Sequence, residues 1–183
     1  VAYYRLGAPL ALRDGDVEIE AEPADEFRLS FAVDYADPLI GRQEVSFAIT
    51  PDVFARDIAP ARTYVLLRDV AGLREQGYAQ GGSTESVCVI DDGELVGGQR
   101  FRFPDEIARH KVLDLLGDLA LLGLPLRAHV KARRSGHAAN TAFSRELARR
   151  ERRSTRIYPP RVPRGFDIGA ILEVMPHRYP LLL

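Results

Sequence analysis

Arg109-His110-Lys111-Val112-Leu113-Asp114-Leu115-Leu116-Gly117-Asp118 reads as one amphipathic helix. Each helical residue turns about 100°, so His110, Asp114 and Asp118 fall within an arc of roughly 80°. Val112, Leu115, Leu116, Leu119 and Ala120 fall on the opposite side. One face is for packing, and the other lines up an imidazole and two carboxylates. A neutral imidazole and a carboxylate at i, i+4 reach one metal ion with the geometry that paired histidines use on a zincin helix. A solvated helix face carries the same kind of stripe, with His and Asp as incidental helix pairs. These residues alone leave both readings open.

Working outward, Asp105 and Glu106 after Pro104 mark the helix start, and Gly123 with Pro125 marks its end, which predicts a helix over 105–122. Ser135-Gly136-His137-Ala138-Ala139-Asn140 opens a second helix, 136–150. His137 then sits in a first turn, where the helix dipole disfavours an imidazolium. A nearby carboxylate such as Asp118 opposes the dipole, an arrangement suited to proton transfer near neutral pH. Upstream, residues 9–12, 17–22, 26–34 and 43–49 alternate or run apolar between Gly, Pro and Asp, and read as antiparallel strands. Pro51 begins a helix with Thr50 as N-cap. Thr63–Leu66 is short and extended, Asp69–Gln76 is a short helix closed by Gly77, Gly81-Gly82 is a turn, and Val87–Ile90 is a strand. With a strand at 126–133, the pattern predicts an α+β two-layer sandwich: a mixed, mostly antiparallel sheet with helices on one face. The His110 arc is expected to point away from that sheet.

From Arg152 the chain becomes basic, proline-rich and aperiodic, the signature of a linker over 152–165. The 183 residues, 46% of them apolar, allow one domain with a real core and a tail. A net charge of −1 excludes a general nucleic-acid polyanion trap. The charge is uneven: residues 13–37 carry nine acids against two arginines, and 143–165 carry eight arginines against two glutamates. The arginine-rich tail is either a plain linker or a peripheral contact with an anionic membrane. The single cysteine, Cys88, lies in an apolar run and reads as a buried hydrophobe. Without an intrachain disulfide the chain suits a reducing, cytoplasmic setting. No apolar stretch approaches the roughly 20 residues needed to span a bilayer. Val1-Ala2-Tyr3-Tyr4-Arg5-Leu6 already reads as a strand, and Tyr179-Pro180-Leu181-Leu182-Leu183 breaks off in an apolar run, so a piece of a longer protein is expected.

His-Lys-x-x-Asp-x-x-Gly-Asp, with Ser-Gly-His beginning 25 residues after the first His, resembles the UDP-3-O-acyl-N-acetylglucosamine deacetylases, the zinc enzymes of lipid A synthesis. Ala61-Arg62-Thr63-Tyr64, Gly81-Gly82-Ser83 and Arg102-Phe103-Pro104-Asp105-Glu106 match that family in order and spacing. The resemblance implies a second, C-terminal deacetylase domain over 1–151, with His110 and Asp114 as Zn2+ ligands. It implies Asp118 as the residue orienting His137, His137 as the group meeting the oxyanion and the departing amine, and Thr63 as an oxyanion donor. Lys111 and Tyr64 are expected to contact a UDP-linked substrate, and Leu67, Val70, Ala79, Ser83 and Val89 to line a passage for its acyl chain. A missing N-terminal domain is implied as the partner supplying a third ligand, a histidine, and a general-base glutamate. His129 occupies no position that the family uses and reads as a strand-surface residue. Arg133-Arg134 stands where the family often has Tyr-Lys, which keeps charge near a diphosphate but not the geometry. Residues 166–183, with Pro176-His177-Arg178-Tyr179-Pro180, resemble the start of the 3-hydroxyacyl-acyl-carrier-protein dehydratases, so the chain looks like the junction of a bifunctional fusion. The competing expectation is a non-catalytic module with a solvated helix face and a basic, membrane-associating tail.

Overall fold

The computed structural model describes residues 3–77, 83 and 85–151. Ala79, the Gly81-Gly82 turn, the Arg/Pro-rich segment and the dehydratase-like stretch lie outside the described residues. A six-stranded sheet carries the fold: β1 (Tyr4–Arg5), β2 (Leu10–Asp14), β3 (Val17–Pro23), β4 (Arg28–Asp34), β5 (Arg42–Ala48) and β9 (Leu126–Arg133). The order is β2-β3-β9-β4-β5, with β1 also pairing with β9. β9 runs antiparallel to β3 and parallel to β4 and β1, while β2/β3 and β4/β5 are antiparallel.

Period-two alternation explains why one face is dry. Ile19 and Ala21 of β3, Leu29, Phe31 and Val33 of β4, and Leu126, Ala128, Val130 and Ala132 of β9 are buried. Their neighbours Glu18, Glu20, Ser30, His129 and Lys131 line the opposite face. Two helices cover the dry face: α3 (Glu106–Ala120) over β4 and β5, and α4 (His137–Glu151) over β3 and β2. α3 buries Ile107, Ala108, Val112, Leu115 and Leu119, and α4 buries Phe143 and Leu147. Of the residues read onto the packing face of α3, Ala120 is the exception and is exposed. Gly123, at φ +72°, closes the helix through its N–H to Ala120 O at 2.9 Å, a left-handed position that glycine adopts without strain.

A smaller sheet, β6-β7-β8, stands beside α3: β6 (Thr63–Leu66), β7 (Val87–Asp91) and β8 (Glu94–Leu95). β6 and β7 are parallel, and α2 (Leu67–Glu75) follows β6 directly. β7 and β8 form a hairpin through Asp92-Gly93, both at positive φ, the backbone that a two-residue turn of the primed type requires. α1 (Pro51–Val53) starts under a Thr50 N-cap, whose Oγ1 accepts from Val53 N at 3.2 Å, and continues as a π-helical turn, Phe54–Ile58. Among the described residues no helix is long and apolar enough to cross a membrane.

Cys88 on β7 is fully buried, and burial pushes its thiol up to about 11. Since the thiolate is the nucleophile, the folded protein should resist alkylation by iodoacetamide at pH 8 and react once denatured. Stoichiometric labelling of the native protein, read by intact mass, would contradict that burial.

Candidate active site

α3 places His110, Lys111, Asp114 and Asp118 successively along its length. His110 Nδ1 lies 3.1 Å from Ala61 O, and His110 Nε2 lies 3.2 Å from Asp114 Oδ1. A carbonyl only accepts, so Nδ1 carries the proton and donates. Nε2 then presents its lone pair to a carboxylate oxygen. Two acceptors face each other at 3.2 Å, and a proton or a metal ion between them relieves the repulsion. Lys111 Nζ reaches the other oxygen, Asp114 Oδ2, at 3.1 Å. Burial pushes the Asp114 carboxyl up, but a proton on His110 Nε2, with the hydrogen bond and charge it brings, and the Lys111 ammonium outweigh it and hold its pKa below the usual range. The His110 and Asp114 side chains are only 19% and 15% exposed, so this part of the stripe is not a freely solvated face. It points neither into the main sheet nor straight into solvent, but against the strand-leading segment at Ala61.

The donor set fits a divalent metal in kind: an imidazole with one nitrogen anchored by a carbonyl and the other beside a carboxylate. It falls short in number. Among the described residues, no group of three or more His, Cys, Asp or Glu comes together to hold a metal, whereas a catalytic zinc usually has three protein ligands. His129 does not make up the difference. It sits on the open face of β9, opposite the helices, with Nε2 2.8 Å from Ser30 Oγ.

One turn beyond Asp114, Asp118 Oδ2 is 2.9 Å from His137 Nδ1 and accepts from Asn140 Nδ2, also at 2.9 Å. Asp118 is 13% exposed and His137 71%, so the carboxylate is held while the far edge of the ring is open to solvent. Ser144 Oγ ties α4 to α3 by donating to Asp118 O at 3.0 Å. Sequence reading missed Asn140 as a partner of Asp118, although its position three residues after His137 puts both on one side of the same helix.

The remaining expected residues are spread over the smaller sheet. Thr63 opens β6, paired with Val87, and is half-buried. Tyr64 stacks edge-on against Tyr35, ring centroids 5.6 Å apart, and burial together with a Tyr35 hydrogen bond raises its pKa well above the ordinary phenol value. Leu67 is 43% exposed at the start of α2, a helix that has no buried residue. Val70 and Val89 are partly buried, and Val89 N donates to Gln99 Oε1 at 3.0 Å. Ser83 is exposed, its N–H bonded to Ser86 Oγ. Arg134 is turned to Asp16, at 2.8 Å, and to Asp34 O. The other residue that sequence reading misjudged is Glu106. It reads as a first-turn helix acid, yet it is fully buried in a hydrogen-bonded ion pair with Arg62.

α3 thus brings a helix-borne imidazole and carboxylate to one place, one turn from an aspartate-held histidine. The family profile described as LpxC: UDP-3-O-acyl N-acetylglycosamine deacetylase matches residues 1–149, and the chain belongs to that family. It is 41% identical over 145 residues to the UDP-3-O-acyl-N-acetylglucosamine deacetylase of Anaeromyxobacter sp. (strain Fw109-5), covering 79% of this chain and 48% of that protein. Against the deacetylase of Chlamydia abortus it is 40% identical over 148 residues, 80% of this chain and 53% of that protein. A protein of Chlorobaculum tepidum named bifunctional enzyme LpxC/FabZ is 36% identical over 197 aligned residues, covering 91% of this chain and 42% of its own length. The chain thus spans about half the length of the relatives it matches.

Proposed function

We propose that this chain is the metal-bearing half of a zinc-dependent deacetylase. Its substrate is UDP-3-O-(3-hydroxyacyl)-N-acetylglucosamine, and water cleaves the N-acetyl group to give acetate and the free amine, a step of lipid A biosynthesis in the cytoplasm. The observation that carries this reading is His110 with Nδ1 anchored on Ala61 O and Nε2 facing Asp114, on the same helix as the Asp118 that holds His137. His110 and Asp114 would contribute two ligands to Zn2+, which would supply Lewis acidity toward the amide carbonyl and acidify water. Asp118 accepts from His137 Nδ1, which orients the open Nε2 edge and stabilises positive charge on the ring. His137 then donates a hydrogen bond to the developing oxyanion and a proton to the departing amine. Thr63 adds a hydroxyl donor at the oxyanion. Lys111 and Tyr64 hold the substrate, and the unit from Leu67 through Val70 and Ser83 to Val89 borders its acyl chain. The third zinc ligand and the general base come from the other half of the protein.

The same reading makes residues 1–151 the second deacetylase domain and 152–165 a linker, with the dehydratase-like residues 166–183 beginning a fused enzyme. The higher coverage of this chain by the bifunctional relative supports that order, 91% against 79% for the Anaeromyxobacter enzyme. The test is His110→Ala in the full-length protein, with zinc measured by metal analysis beside acetate release. Zinc content and turnover should fall together. Full zinc occupancy in the variant would remove His110 from the metal site.

A further inference from the structure

We propose that Glu106 is a positioning residue for the metal site: its carboxylate orients the Ala61–Arg62 peptide, whose carbonyl in turn fixes the His110 ring with Nε2 toward Asp114. The inference rests on the zinc reading given above and assigns a role to a residue that touches neither metal nor substrate.

One peptide unit links the two groups. Its N–H, on Arg62, donates to Glu106 Oε1 at 2.9 Å, and its C=O, on Ala61, accepts from His110 Nδ1 at 3.1 Å. The described chain has no cis peptide, and in a trans peptide the N–H and C=O point in opposite directions. Carboxylate and imidazole therefore lie on opposite sides of one conjugated amide. A negative charge at the N–H end polarises that amide and makes its oxygen a better acceptor. A histidine ligand usually takes its second hydrogen bond from a carboxylate or a carbonyl. Here the two stand in series.

Glu106 is itself held without slack. It is fully buried; Oε1 also accepts from Arg62 Nε at 2.8 Å, and Oε2 accepts from Arg62 Nη2 at 3.1 Å and Arg102 N at 2.6 Å. Arg62 Nη2 donates further to Arg100 O at 2.6 Å. The segment before the peptide is pinned as well, by Ala61 N to Ile58 O at 3.0 Å and Arg102 Nη1 to Pro60 O at 2.7 Å. With Glu106 only four residues before His110 on α3, one helix carries both the metal-facing ring and the carboxylate that aims it.

The experiment uses the full-length protein, stripped of metal and titrated with zinc against a chelator, as wild type, Glu106→Gln and Arg62→Lys. Glu106→Gln removes the negative charge and sets an amide N–H₂ against one pair of the Arg62 and Arg102 donors, which weakens both the hold on the peptide and its polarisation. Zinc affinity should fall about 10–100-fold, the usual effect of removing a partner behind a ligand. Arg62→Lys keeps the carboxylate on the peptide N–H but loses the guanidinium fork on Glu106 and the bond to Arg100 O. It should lower the melting temperature while leaving zinc affinity near wild type. Unchanged affinity in Glu106→Gln overturns the proposal. So does loss of affinity in step with melting temperature in both variants, which makes Glu106 a folding residue only. Should Glu106→Gln not fold, histidine ¹⁵N NMR of the metal-free wild type decides. The neutral His110 ring should carry its proton on Nδ1, and a proton on Nε2 overturns the proposal. Wild-type protein that takes up no zinc would instead defeat the deacetylase reading, while the NMR measurement would still report on the positioning.

Discussion

Replacing Glu106 by alanine lowers the stability of the fold by about 3–5 kcal/mol, the usual cost of breaking a buried ion pair from one side. Arg62, only 7% exposed, is left with an uncompensated charge beside a cavity. The N–H groups of Arg62 and Arg102 lose their acceptor at the same time. Burial pushes the Glu106 carboxyl up, but the Arg62 guanidinium and the two backbone N–H groups outweigh it and hold its pKa below the ordinary carboxylate range. The folded-state pKa is therefore depressed, so its contribution is fully present above the unfolded value of about 4.3 and is lost as the pH falls through the folded value. The urea midpoint should drop sharply in Glu106→Ala at pH 7. Its difference from wild type should shrink as the pH falls below about 4.3, where the unfolded chain binds a proton first and the folded carboxylate follows only at lower pH. A loss under about 1 kcal/mol would mean that the pair behaves like a solvent-exposed one.

The second large effect belongs to the two side chains that bridge α3 and α4. In the full-length protein, His137→Ala should lower kcat about 10²–10⁴-fold, the typical contribution of a positioned acid or base. Asp118→Ala should approach that loss, because it frees the ring that it holds at 2.9 Å and leaves buried Asn140 without its acceptor. A group and its orienting partner act as a unit, so the double variant should cost less than the two free-energy losses added together. Strictly additive losses would show that Asp118 and His137 act separately, and would reassign the proton transfer.

Much of the architecture was legible from periodicity. α3 and α4 lie within two residues of the bounds expected from their caps and apolar spacing, and β2 to β5 fall where alternation puts them. The β7–β8 hairpin escaped notice although Asp92-Gly93 is a strong turn signal, because only two residues follow in strand and no run of alternation announces them. The π-helical turn after Val53 has no sequence signature at all. Within the site, His110, Asp114 and Asp118 are visible because helical spacing makes their adjacency local. Glu106 was misjudged because its partner stands 44 residues earlier, and no local pattern separates a first-turn acid facing water from one facing a buried arginine. Asn140 and the Ala61 carbonyl share that difficulty: tertiary packing chooses their partners, and one of the two is a backbone group common to every residue.

The position of β9 bears on how the protein is made. β3 and β4 do not pair with each other; β9, the last strand among the described residues, separates them and bonds to both. A nascent chain extruded only as far as Pro125 therefore presents two hairpins, β2/β3 and β4/β5, each with an inner edge open, and the dry face of β2/β3 still waits for α4. Such edges recruit other strands, and pairings distant in sequence form slowly. Folding on the ribosome must wait until Arg133 has cleared the exit tunnel, and α4 then closes the remaining apolar surface. Chains stalled or cut before β9 should accumulate as aggregates rather than as a smaller folded core. Additional chain beyond α4 would keep a nascent molecule tethered while its central strand slots into place.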